Sequence, residues 1–274
     1  TGNGNTFLGG GAGKYTDSSN YSVFIGCTAG HNSEGDHVIA IGYYAGAACN
    51  SSANTLLGYT AGSSVTTGGS NTLIGHQAGD AINTGQQNVI IGKSAGTELT
   101  TSSYNIVIGV NAGDALTTGN SQTVVGHGAL SAVTTASEST AIGFQAMAAL
   151  TSGLKNTGVG YQALNACTTA SLMGIICGDK ITTGIQNTII GSDAGGEITT
   201  QNYCTGVGKG VLQVNTQSQA TAFGRQAMGA NTTGSYNSAL GYNALATNST
   251  GGSNTAIGWA ALTLTTASNN TAVG

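Results

Sequence analysis

The chain has 274 residues, of which only 6% are charged, with 46 glycines, no proline and a formal charge of −4. So little charge removes the basic footprint of a nucleic-acid binder, and no run of about 18 apolar residues is present to cross a membrane as a helix. Disordered segments are rich in Pro and charge, whereas here Ile, Val, Leu and Thr recur at fixed places, so the composition describes an ordered repeat.

The opening residues, TGNGNTFLGG, carry neither the charged n-region nor the apolar h-region of a signal peptide. Residues 9–16, GGGAGKYT, have the outline of a phosphate loop. G-x-x-x-x-G-K-[ST] needs Gly at 8 and Ser or Thr at 15; the chain has Leu8 and Tyr15. These glycines belong to something else.

One glycine marks each unit of a repeat: Gly9, Gly26, Gly42, Gly58, Gly75, Gly92, Gly109, Gly126 and so on to Gly274. The steps are 17 residues, sometimes 16, and once 14, from Gly160 to Gly174. The unit reads N-T-x-[ILV]-G-x-x-A-[GLM]-x-x-[ILV]-T-T-G-x-x, with the marker glycine at position five. Periods of this kind signal a solenoid. The chain starts and stops in mid-phrase without the polar caps of a free solenoid. The expectation is a segment of a longer fibre, or one that stacks end to end.

Positions one to five predict a strand ended by the glycine. Position four is apolar (Ile74, Ile91, Ile108, Ile142, Ile190, Ile257), and position three often is too (Leu56, Leu73, Ile90, Val107, Val124, Ile189). Alternate side chains point to opposite faces, so such a strand is buried on both sides. We place position four inside the coil and position three against a partner chain. The phrase I-T-T-G predicts a second short strand and turn. The expected fold is therefore all-β: a two-sided parallel β-solenoid, or β-roll, of about 17 residues per coil, forming a homotrimeric fibre. Coils about 4.8 Å apart would make a rod roughly 75 Å long. The Asn at position one (Asn54, Asn71, Asn88, Asn105) predicts an amide ladder, and Thr pairs such as Thr100–Thr101 and Thr117–Thr118 predict hydroxyl ladders.

Volume is traded within the unit, as dense interiors require. Gly at position nine goes with a bulky residue at twelve (Gly79 with Ile82, Gly96 with Leu99, Gly113 with Leu116). Later, Leu or Met at nine goes with a small or polar residue (Leu164 with Cys167, Met228 with Asn231, Leu245 with Asn248). Leu130 with Val133 and Met147 with Leu150 break the trade. The whole of residues 1–274 reads as one repeat array, with a change of cross-section near 126–160. Ala at position eight (Ala78, Ala95, Ala112, Ala146, Ala163) predicts a site with room for no more than a methyl.

The units NTGVGYQALNACTTA, NSALGYNALATNSTGGS and NTAIGWAALTLTTASNN resemble the repeats of long phage tail-fibre proteins. Their NT-x-[IV]-G-x-x-A core is similar to the head repeat of trimeric autotransporter adhesins, which form left-handed parallel β-rolls in three-chain bundles. The resemblance covers essentially the whole chain. It implies a structural or adhesive homotrimeric fibre on a virion or cell surface, extracellular, joined to adjoining fibre segments and serving host attachment. The alternatives are an ice-binding solenoid, in which Thr ladders order water, and a polysaccharide-degrading tailspike-like solenoid.

Chemistry-bearing residues are few. Asp80, Asp114 and Asp179 share one outer position in units too far apart to make the carboxylate pair of a glycosidase, so no catalytic residue and no enzyme is expected. His76 and His127 lie three coils apart, roughly 14 Å, and cannot share a metal within one chain. Five cysteines (Cys27, Cys49, Cys167, Cys177, Cys204) without a spacing motif predict neither a disulfide framework nor a zinc site. No metal or cofactor is expected. The one surface signal is position six, with Tyr43, Tyr59 and His76, then Phe144 and Tyr161, then Tyr242 and Trp259. Neighbouring rings there either stack on each other or pack between chains, or they form an aromatic ladder for surface glycans. The binding residues of that second reading are Tyr43, Tyr59, Tyr161, Tyr242 and Trp259, with Gln77, Gln162, Gln226 and Asn243 as hydrogen-bonders beside them.

Overall fold

In the computed structural model, residues 2–166 and 180–274 are described with their side chains and residues 172–175 by their backbone. Among these there is no helix, and 17 short parallel strands follow one another, one per coil. The chain divides into two compact units, Thr1–Ile142 and Gly143–Gly274. Unit 1 holds β1 (Thr6–Leu8) to β9 (Thr140–Ile142), and unit 2 holds β10 (Thr157–Val159) to β17 (Thr271–Val273). Within each unit every strand pairs in parallel with the equivalent residues of the next coil, as Thr72, Leu73 and Ile74 do with Val89, Ile90 and Ile91. The parallel β-solenoid is therefore the architecture.

The strands are short because the marker glycine ends each of them. Gly58 sits at φ +144°, and a Cβ there would lie 2.1 Å from the carbonyl oxygen of Gly75. Backbone thus runs over backbone at this corner, which only glycine allows. Positions seven and nine of the following turn are left-handed, as at Gln77 (φ 57°) and Gly79 (φ 54°). The coil is then closed by its own first residue: Asn71 Nδ2 donates to the carbonyl of Gly85, 14 residues on, at 2.9 Å.

The inward face of the strand is the reverse of the one expected. Leu56, Leu73, Ile90, Val107 and Val124 at position three are fully buried, whereas Leu57 at position four is 40% exposed, Ile142 38% and Leu240 52%. Position one decides this. Its Asn is buried in the coil, and residues one and three share a face of a strand. Each inward aliphatic contributes roughly 1.5–3 kcal/mol by its burial. The Ala of position eight is buried beside it, as at Ala78, Ala95 and Ala112.

The expected second strand is replaced by a bend. The N–H groups of Thr182, Thr183 and Gly184 all converge on the carbonyl of Thr199, at 2.9, 3.3 and 3.3 Å. Three donors on one acceptor curve the chain, where a ladder would give each its own. The threonines still link coils: Thr100 Oγ1 donates to the carbonyl of Thr117 at 3.2 Å, and Thr117 Oγ1 to that of Thr134 at 2.8 Å.

The amide ladder forms as expected. Asn88 Oδ1 accepts from the backbone N–H and the side-chain Nδ2 of Asn105, both at 3.0 Å, and Asn71 Oδ1 does the same for Asn88. Unit 2 has a second one at position twelve, where Asn231 Nδ2 donates to Asn215 Oδ1 at 2.8 Å and Asn248 Nδ2 to Asn231 Oδ1 at 3.3 Å. The 14-residue step also resolves. The backbone of β11 (Leu172–Ile175) pairs Gly174 with Gly158 and Ile175 with Val159, so Gly174 stands at position three and is not a marker. Cys167, Cys177 and Asp179 lie outside the described residues.

Candidate binding surfaces

The position-six rings follow from the fold. They leave the coil just after the marker glycine, one strand spacing apart, so adjacent aromatics meet face to face. Tyr43 stacks on Tyr59 with centroids 5.3 Å apart, and Tyr59 on His76 at 4.9 Å. In unit 2, Phe144 and Tyr161 stack at 5.3 Å and Tyr242 and Trp259 at 6.3 Å, with the Arg225 guanidinium 5.6 Å from the Tyr242 ring. The five sequence-predicted residues thus fall into three separate stacks. Their shared faces are occupied by neighbouring rings, and the edges point outward. Trp259 is the most open, at 75% exposure.

Beside the Tyr242–Trp259 stack lies a groove that sequence reasoning missed. It encloses about 400 Å³ and is lined by Gln213, Gln226, Gly229, Asn243, Ala246, Thr247 and Thr263, among others. Small residues at position ten, Gly229 and Ala246, make the depression, and the position-seven amides Gln226 and Asn243 stand on its wall. The pattern was readable as Gln or Asn at seven recurring beside Gly or Ala at ten. At the same column Gln162 Nε2 donates to Gln145 Oε1 at 2.9 Å.

Asp80 and Asp114 occupy the same position of the unit two coils apart. Burial pushes the Asp80 and Asp114 carboxyls above the usual range, backbone hydrogen bonds oppose this, and the Glu98 charge adds to the upward shift. Glu98 belongs to the coil between them. No cluster of three or more metal-ligating side chains occurs among the described residues. Cys27 is exposed, while Cys49 and Cys204 are buried, free thiols whose pKa burial raises, so they are poor nucleophiles.

The most extensive surface is the outward face of the strands themselves, positions two and four. In the 16 strands described with their side chains its residues are Thr, Val, Ile, Leu, Ser or Phe, without one charge. In β6 (Val89–Ile91) and β7 (Ile106–Ile108) both outward rows are aliphatic. In unit 2, Thr221, Phe223, Ser238, Leu240, Thr255 and Ile257 line an apolar furrow of about 150 Å³ between the two rows.

No family model matches the chain, and neither does any curated protein or solved structure.

Proposed function

We propose that the chain is a structural and adhesive fibre segment, the shaft of a phage tail fibre or surface adhesin, built from three identical chains outside the cell or on a virion. The observation that carries this reading is the uncharged outward strand face. A solenoid working alone has every reason to place Lys or Glu on so long a row of strands, and this chain keeps all its charges elsewhere. Its repeat and its resemblance to tail-fibre and adhesin repeats point the same way. Adjoining segments continue the shaft, and surface glycans are the ligand class that the Tyr43–Tyr59, Phe144–Tyr161 and Tyr242–Trp259 stacks and the neighbouring Gln226–Asn243 groove suit. Sedimentation equilibrium with electron microscopy tests the shaft: rods of three chains are expected, and a stable globular monomer at micromolar concentration rejects it.

Ice binding is the second reading with an observation of its own. Thr188, Thr205, Thr221, Thr255 and Thr271 stand at one outward position of unit 2, with Ser238 between Thr221 and Thr255, a row of hydroxyls in which every residue but the serine adds a methyl. Thermal hysteresis from a monomeric chain would favour it over the shaft. Polysaccharide cleavage has no comparable support, and release of reducing sugars is its assay.

A further inference from the structure

We propose that the outward face of positions two and four is where a second copy of this chain docks, parallel and coil against coil, with the position-four row of one chain seated in the furrow between the two rows of the other. This rests on the multi-chain reading above and names the surface that reading requires. Three observations select a second copy over other occupants.

The first is commensurability. The furrow in unit 2 runs past Phe223, Leu240 and Ile257, whose strands are joined by direct ladders, so its notches repeat at the strand spacing of about 4.8 Å. A row of side chains on another copy has the same spacing and stays in step over every coil. A helix, with a pitch of about 5.4 Å, slips by a whole notch after about eight coils.

The second is charge. Among the described residues no outward strand side chain is charged, so two identical faces meet without the like-charge repulsion that would turn away a self-copy. A strongly acidic or basic partner finds no counter-charge there.

The third is area. Nine strands in unit 1 and eight in unit 2, each about 10 Å long and 4.8 Å from the next, offer roughly 400 Å² per unit before side-chain relief. Each unit thus supplies about half of the roughly 800 Å² per partner of a stable interface. Aliphatics are unevenly distributed along unit 1: both rows are aliphatic in Val23, Ile25, Ile39 and Ile41 and again in Val89, Ile91, Ile106 and Ile108, and in-register parallel docking lays each of these stretches on its own copy.

The test uses the full chain in two forms. The double variant Ile91→Glu/Ile108→Glu should lose the oligomer in sedimentation while its far-ultraviolet circular dichroism stays native. The turn variant Thr100→Glu/Thr117→Glu should keep the oligomer. Because the charged face could also disturb folding, a second measurement uses otherwise native chains lacking Cys27, Cys167 and Cys177. Ile74→Cys in a Cys27→Ser/Cys167→Ser/Cys177→Ser background should form a disulfide-linked dimer on mild oxidation, since interlocked position-four rows in parallel registry bring the two Ile74 sites together, and Thr100→Cys in the same background should not. Native oligomers that survive the face charges but dissociate with the turn charges, or that cross-link through Thr100→Cys alone, overturn the proposed face and leave the fibre reading standing. A wild-type chain that sediments as a monomer overturns both.

Discussion

Gly206 and Leu212 share one interior volume: a Cβ built on the glycine would lie 2.9 Å from Leu212 Cδ1. The same partition recurs in reverse at Leu73 and Gly79, where the glycine's Cβ would meet Leu73 Cδ2 at 3.1 Å. Position nine therefore exchanges volume with position three, and position twelve follows. Met147 with Leu150, which breaks the nine-to-twelve trade, obeys this one because position three there is Ala141. Leu130 sits opposite Val124 and remains an exception.

The exchange can be tested in the coil of Leu245, where position three is Ala239. Leu245→Gly should cost about 3–5 kcal/mol through the cavity it leaves, and Ala239→Leu about 1–3 kcal/mol through overpacking. The double variant should recover more than half of the summed loss, because glycine also relieves the left-handed backbone at 245 (φ 51°). Urea denaturation of the four proteins gives the coupling; additive losses would refute shared volume.

Gly58→Ala should be among the most damaging single changes in the chain, at about 4 kcal/mol or more. The new methyl meets a backbone carbonyl at 2.1 Å, and neither chain can move without breaking the ladder. Gly10→Ala is the matched control, since a Cβ there has nothing within 4 Å. Thermal melts should separate the two clearly.

Val107 and Ile108 are sequence neighbours with opposite fates. Val107→Asp places an unpaired charge inside the coil and should abolish folding, a loss of about 3–5 kcal/mol or more. Ile108→Asp leaves the chain's own core intact and should preserve the circular dichroism spectrum. A folded Val107→Asp protein would contradict the assignment of inside and outside.

That assignment marks where the sequence was legible and where it was misread. Period, strand, marker glycine and the Asn54-to-Asn105 ladder all follow from spacing. The two faces were exchanged because both Val107 and Ile108 are aliphatic and apolarity alone does not orient a strand. Asn105, two residues before Val107, carried the answer: an amide that is to bond its neighbours must be shielded from water, and its face is position three's. The second strand was misread because Thr is at home in strands, while three amides sharing the Thr199 carbonyl is a property of the turn. The stacked rings were legible as vertical neighbours. The residues of the Gln226–Asn243 groove were legible too, but the depression between them was not, because its floor depends on how the arcs of several coils lie together.

Asn88→Ala should destabilise unit 1 by roughly 2–5 kcal/mol, since it strips the acceptor from a buried N–H and a buried side-chain amide of Asn105 at once. Hydrogen exchange should show the Asn105 amide opening first. Unchanged protection at Asn105 would mean that the ladder is not what holds it.

The acidic residues predict a pH response of definite sign. Burial, aided by the charge of Glu98, raises the Asp114 carboxyl above its ordinary 3.8. The native chain therefore holds that proton more tightly than the unfolded one, and the contribution favours the fold below pH 3.8, fading as the pH rises through the raised value. Asp114→Asn should accordingly raise the melting temperature at pH 7 and give little difference at pH 3. A variant less stable at pH 7 would reverse the sign and refute the assignment.

Within each unit a coil bonds only to the coils before and after it, and the coils that begin at Asn54, Asn71, Asn88 and Asn105 all present the same marker glycine, amide and carbonyl at either rim. Removing residues 72–88 would bring Val89 to the place of Thr72, beside Thr55, with every rim contact replaced by its equivalent. Unequal recombination between repeats can therefore lengthen or shorten such a chain by whole coils in one event, without passing through a misfolded intermediate. Length becomes a trait that selection can adjust as freely as a single residue.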